Sequence, residues 1–137
     1  MRLSRRIGAL SCLAVGACLV AGSAAIHLHL WAAGYRTVPT IGPLFLVQGA
    51  SGIVLGVLMV VFRRAIAALA GAGFLAATAG GFLISVSRGL FGFHDTFAAP
   101  LATLSLAIES GGVVVLVVAA ALLRSSRRAP VPRGSAR

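Results

Sequence analysis

One glutamate in this chain stands inside an unbroken apolar run. Glu109 lies between Leu101 and Leu123 and is one of only two acidic residues, the other being Asp95. A carboxylate in hydrocarbon must find a partner or take up a proton, so an ionisable residue in such a run marks a site by default. Two kinds of chemistry follow. Glu109 can belong to a buried pair or hydrogen-bonded knot that fixes packing, or it can be a proton or cation site or an anchor for a polar ligand group. Arg88 is the cation best placed to reach it from the same side. His27, His29, Gln48 and Ser85 are further polar side chains within or at the ends of apolar runs. His27 and His29 are two residues apart, about 200° around a helix, so only one can face a bundle interior and they form no i,i+4 metal pair. His94, beside Phe93 and Asp95, is the only other histidine, and it lies in a loop, so a haem held between two intramembrane histidines has no second ligand. No phosphate-binding loop, dinucleotide fingerprint, zinc motif or nucleophile–histidine–acid set is present. The sequence therefore predicts no catalytic residue, no resident metal and no cofactor.

The elements that must position these residues are legible from composition. Of 137 residues, 59% are hydrophobic and 10% charged, against about 25% charged in a soluble domain. Such a chain has too little polar surface to face water. Four apolar runs, 7–33, 44–62, 65–86 and 101–123, are each near the roughly 20 residues that cross a 30 Å hydrocarbon core. The expected fold is all-α, a polytopic bundle of four transmembrane helices. A basic arm (1–6) precedes it and a disordered basic tail (124–137) follows. Trp31 and Tyr35 suit a headgroup region, and Gly34, Pro39, Gly42 and Pro43 mark a turn. Arg5-Arg6 followed by an apolar stretch and Gly22-Ser23-Ala24 also resembles a signal peptide, but the apolar run continues well past the small residues.

Charge sets the expected orientation. All twelve basic residues are arginine, a bias that suits a GC-rich bacterial genome. With the N-terminus inside, ten fall on inner segments, and only Arg36 and Arg88 fall on outer loops. That asymmetry predicts cytoplasmic termini in a bacterial plasma membrane. It also argues against nucleic acid as a partner, because the charges cap the apolar runs and form no aromatic-interleaved patch. Depth then follows from 1.5 Å per residue. Glu109 lies about 12 Å beyond Leu101. His27, His29, Gln48, Ser85 and Arg88 fall in the same outer half, so polar groups from all four spans share one level.

Small residues supply the packing. Gly49, Gly52 and Gly56 form one row, and Gly80 and Gly81 continue rows begun by Ala72, Ala76 and Ala77. Such rows let helices approach closely in lipid, and they leave a homo-oligomer or a membrane-protein partner open. Cys12 and Cys18 are too far apart along one helix to bridge and read as packing residues. The loop from Ser87 to Pro100 carries three phenylalanines, too apolar for a free loop. It is expected to lie on the outer interface or to cap the bundle mouth.

The stretch His27-Leu28-His29-Leu30-Trp31, then Gly34-Tyr35-Arg36, then Pro39 to Leu46, together with Glu109 after Leu104-Ser105-Leu106, resembles small four-span integral membrane proteins of actinobacteria. The likeness covers about residues 26–118 and implies the fold but no activity. Small multidrug exporters have a similar size, yet they carry their key glutamate in the first span and often a weak charge bias, so this chain departs from them twice. Three functional readings stand at this point. The first is a non-enzymatic accessory or partner-binding subunit. The second is a small transporter or proton-coupled carrier using Glu109, and the third a membrane enzyme or quinone-site protein using His27 or His29. Separately, Arg124, Arg127 and Arg128 should favour anionic inner-leaflet lipid by about 1 kcal/mol for each charge near the surface. A peptide of residues 124–137 is expected to bind anionic vesicles more tightly than zwitterionic ones, and binding indifferent to lipid charge would refute this.

Overall fold

Each apolar run folds as one helix, because only internal hydrogen bonding satisfies a backbone that water does not reach. The computed structural model describes residues 2–127. It contains α1 (Arg2–Ala33), a single 3-10 turn (Tyr35–Thr37), α2 (Ile41–Phe62), α3 (Ala65–Arg88) and α4 (Ala102–Arg127). All four helices are long and apolar enough to cross a membrane. At about 1.5 Å per residue, even α2 with its 22 residues is roughly 33 Å long.

The helix ends differ from the sequence-based bounds for local reasons. The basic stretch 2–6 is the first part of α1 rather than a separate arm. Helix α2 begins at Ile41, three residues before Leu44. Pro43 fits there because a first-turn residue has no helical acceptor for its N–H in any case. At the other end, α4 runs past Leu123 to Arg127, which puts the exposed Arg124 on the helix. Arg128 and the rest of the tail lie outside the described residues. Between α2 and α3 only Arg63 and Arg64 intervene. Arg63 takes a left-handed conformation (φ 46°), donates its N–H to the Met59 carbonyl at 3.1 Å and its Nε to the Val60 carbonyl at 3.0 Å.

Helix α1 packs along both α2 and α4, and α3 packs along α4. The seam that closes the ring, between α2 and α3, is the thinnest of the four. Leu13, Val20, Met59, Leu75 and Leu116 form the centre of an apolar core in the half of the bundle nearer the termini. Val47, Val57, Val61, Ile66 and Val114 are exposed and face outward, which suits lipid rather than water.

Glycine governs several contacts. Gly49 lies against Leu28 and the Ala24 carbonyl, Gly52 against Ala24 and Phe74, and Gly56 faces the Ala17 carbonyl. These three hold α2 to α1 and are buried within the chain. Gly80 and Gly81 differ from the expected packing row, since a Cβ at either would meet nothing within 4 Å. Gly42 is the place with the least give: a Cβ there would sit 2.8 Å from the backbone carbonyl oxygens of Tyr35 and Arg36. Backbone cannot rotate away as a side chain can. Gly42→Ala is therefore expected to destabilise by about 1–3 kcal/mol, whereas Gly80→Ala should be neutral or stabilising by up to about 1 kcal/mol. Thermal unfolding of the two purified variants checks this, and equal midpoints would contradict it.

Candidate functional site

The end of the bundle away from the termini, here called the mouth, lacks the apolar filling of the other half. Its floor is Glu109 on α4, with 1% of its surface exposed. Glu109 Oε1 accepts two hydrogen bonds, from Ser105 Oγ at 2.7 Å and from Ser23 Oγ at 3.0 Å. Ser105 is one turn earlier on the same helix, where i,i+4 side chains meet. Ser23 comes from α1, so this bond ties α1 to α4. An intramolecular hydrogen bond contributes about 0.5–1.5 kcal/mol net, and two together hold one carboxyl oxygen in place. Oε2 has no protein partner and is not sealed from the adjoining space.

His27 stands one turn above Ser23 on α1. Its Nδ1 lies 2.9 Å from the Ser23 carbonyl oxygen. A carbonyl only accepts, so Nδ1 carries the proton, and in the neutral ring Nε2 is an acceptor. His27 is buried, and Nε2 has no protein partner. The ring meets Phe45 edge-on, with centroids 5.0 Å apart. Phe45 in turn stacks on Tyr35 at 4.8 Å, and Tyr35 meets Phe93 edge-on at 5.8 Å. An aromatic train thus runs from α1 through α2 and the 3-10 turn to the loop before α4.

That loop is folded down over the mouth. Leu90 and Phe93 exchange backbone hydrogen bonds of 2.7 and 2.9 Å across a tight turn in which Gly92 takes φ 79°. Ser85, buried near the end of α3, clasps it. Its Oγ donates to the Phe93 carbonyl and accepts from the Asp95 N–H, both at 3.2 Å. Phe97 meets Phe82 of α3 edge-on at 5.4 Å. Across the thin seam, Gln48 Nε2 of α2 donates to Thr78 Oγ1 of α3. Thr78 commits its own proton to the Phe74 carbonyl at 2.9 Å, so Gln48 must present its amide nitrogen and keeps Oε1 free.

These elements form a half-open cavity of about 180 Å³ bordered by all four helices, the 3-10 turn and the loop. Its lining includes His27, Gln48, Ser85, Phe93, Asp95 and Glu109. Arg88, the expected partner of Glu109, is instead exposed at the end of α3 and makes no ion pair with it. His29 is exposed on the opposite side of α1, as its angular offset from His27 requires. His94 is exposed too, with its ring close to Gly89. Gly81 borders the cavity, and Gly80 does not. Among the described residues no three His, Cys, Asp or Glu side chains gather as a metal site. Both cysteines are free, with Cys18 exposed and Cys12 half-buried.

Four contributors escaped the sequence reading: Ser23, Ser105, Thr78 and Tyr35 as part of the lining. Ser105 could have been found from its i,i+4 spacing to Glu109. Ser23 has the same spacing to His27, but Gly22-Ser23-Ala24 also reads as a run of small residues. No protein-family model, no curated protein and no solved structure matches this chain.

Tyr35 reports on the rim. Its burial, and secondly the negative charge of Asp95, hold its phenol above the usual 10.0. It is the only tyrosine in the chain, so an alkaline absorbance titration reads it directly. The expected midpoint lies above that of a free tyrosine. Asp95→Asn should lower the midpoint part of the way, because the larger cause, burial, remains. An unmoved midpoint would show that Asp95 does not face Tyr35.

Proposed function

We propose that this chain is a multi-pass protein of a bacterial plasma membrane, with both termini cytoplasmic and the mouth on the outer side. We further infer that its role is to bind a small amphipathic molecule in the cavity, as a non-enzymatic accessory protein. The orientation is supported by the ten arginines at the termini and the α2–α3 turn, against two near the mouth. The binding role is carried by one observation: the half of the bundle that holds the polar side chains has a cavity bordered by all four helices, whereas the other half has an apolar core at its centre and only a shallow apolar groove on its α2–α3 side.

A purely structural knot around Glu109 would close on itself. Here the second carboxylate oxygen, His27 Nε2 and Gln48 Oε1 are left without protein partners beside a space walled largely by apolar and aromatic side chains. A few convergent polar groups in an apolar concavity describe a small-molecule site. The size suits one ring, since an apolar cavity of about 150 Å³ takes up benzene. The thin α2–α3 seam and the folded loop are the two sides from which a molecule can reach it.

The test is saturable binding of benzyl alcohol to the purified protein in nanodiscs, read as a rise in the unfolding midpoint with ligand concentration. Gly81→Leu places a side chain in the cavity without meeting a neighbour at Cβ. It should remove the ligand-dependent rise without lowering the midpoint of the ligand-free protein. A rise that persists undiminished in Gly81→Leu would place the binding elsewhere and sink this reading.

A further inference from the structure

Both acidic residues of the chain, Asp95 and Glu109, border the same cavity. They arrive from different elements, Asp95 from the loop at the rim and Glu109 from α4 at the floor. No arginine of the described residues contributes to the lining, although the chain carries twelve. A protein of net charge +10 has thus placed all of its negative charge around one hollow.

The remaining polar groups have the same character. The Nδ1–H of His27 is committed to the Ser23 carbonyl, which leaves an acceptor at Nε2. The amide nitrogen of Gln48 is committed to Thr78, which leaves an acceptor at Oε1. The hydroxyl protons of Ser105 and Ser23 are spent on Glu109. Tyr35, Phe45, Phe82 and Phe93 bring four aromatic rings to the walls, and the face of such a ring attracts a cation.

We propose that the cavity is a site for a small organic cation, an ammonium group on an apolar body about the size of one ring. The proposal rests on the binding role argued above and adds the sign of the ligand's charge. A buried cation needs a compensating charge and acceptors for its N–H groups, and Glu109 Oε2 with His27 Nε2 and Gln48 Oε1 supplies them. Asp95 at the rim attracts the same sign before the ligand is enclosed. An anion would meet two carboxylates and find the Tyr35 hydroxyl as the main uncommitted donor.

Three probes of like size separate the possibilities: benzylammonium, benzyl alcohol and benzoate. Each is titrated by equilibrium dialysis against the full chain in nanodiscs of zwitterionic lipid. Benzylammonium is expected to bind at least about tenfold tighter than benzyl alcohol, a difference of about 1.4 kcal/mol. Benzoate should bind weakest, even though the net charge of the protein favours it, so bulk charge cannot mimic the result. Glu109→Gln keeps the acceptor used by the two serines, and Asp95→Asn keeps a side-chain oxygen. Each should narrow the preference for the cation over the alcohol. If Glu109→Gln does not accumulate, Asp95→Asn at the rim carries the same test. Benzyl alcohol binding as tightly as benzylammonium, or benzoate tighter than either, overturns the cation site and leaves the binding role standing. Silence from all three probes overturns both.

Discussion

The bond between Ser23 and Glu109 is the constraint on which the mouth of this bundle depends. Hydrophobic attraction does not hold helices together where the solvent is itself hydrocarbon. What fixes the slide of α1 along α4 is the cost of taking from a buried carboxylate the one of its two hydroxyl donors that comes from α1. One turn of slip would carry Ser23 about 5.4 Å away. It would also carry His27, whose ring is fastened to the Ser23 carbonyl. The height of His27 in turn sets Phe45, then Tyr35, then Phe93 along the aromatic train. A single depth, set by one buried acid, is thus passed from α4 to the loop on the far side of the mouth.

The second bond between helices, from Gln48 to Thr78, has a different role. The α2–α3 seam is thin because α3 offers Ala77 and Gly81 toward Leu44, Phe45 and Gln48 of α2. Small residues facing small residues would let the helices close on each other. Here the small residues of α3 and the larger ones of α2 border the same hollow. The glycines of α2 show the contrast, since Gly49 and Gly52 have Leu28, Ala24 and Phe74 lying on them and leave no space. Glycine therefore brings backbones together on one side of α2, and on α3 Gly81 makes room.

Much of this was legible in the residues, and what was not has a common cause. The four spans, the shared depth of Glu109, His27, Gln48 and Ser85, and the apolar loop all follow from counting along one helix at a time. Azimuth does not follow, because it depends on which neighbour each face meets. Arg88 has nearly the right depth for Glu109, but it stands at a helix end where its side chain stays exposed. Two serines near Glu109 offered hydroxyls at no desolvation cost comparable to that of an arginine. The same limit explains Gly80 and Gly81, whose spacing matches a packing row though nothing lies within 4 Å of where a Cβ would stand. Helix ends moved for the simpler reason that Gly42 and Pro43 disfavour a helix interior but fit its first turn.

The two-residue connection at Arg63 and Arg64 gives the α2–α3 pair the mechanics of a clothes-peg. At that end the chain is drawn tight, with the Arg63 N–H bound back to Met59. At the other end α2 and α3 run on into separate segments of chain, which meet only side by side through the rings of Tyr35 and Phe93. Any parting of the two helices is then a rotation about the arginine turn, widest at the mouth. Gln48 is about 22 Å from Arg63 along the helix. A swing of about 10° there moves Gln48 by about 4 Å, which is enough to break its bond to Thr78 while the turn itself scarcely changes. The jaws of the peg stand at the cavity, and its spring is the shortest loop in the molecule.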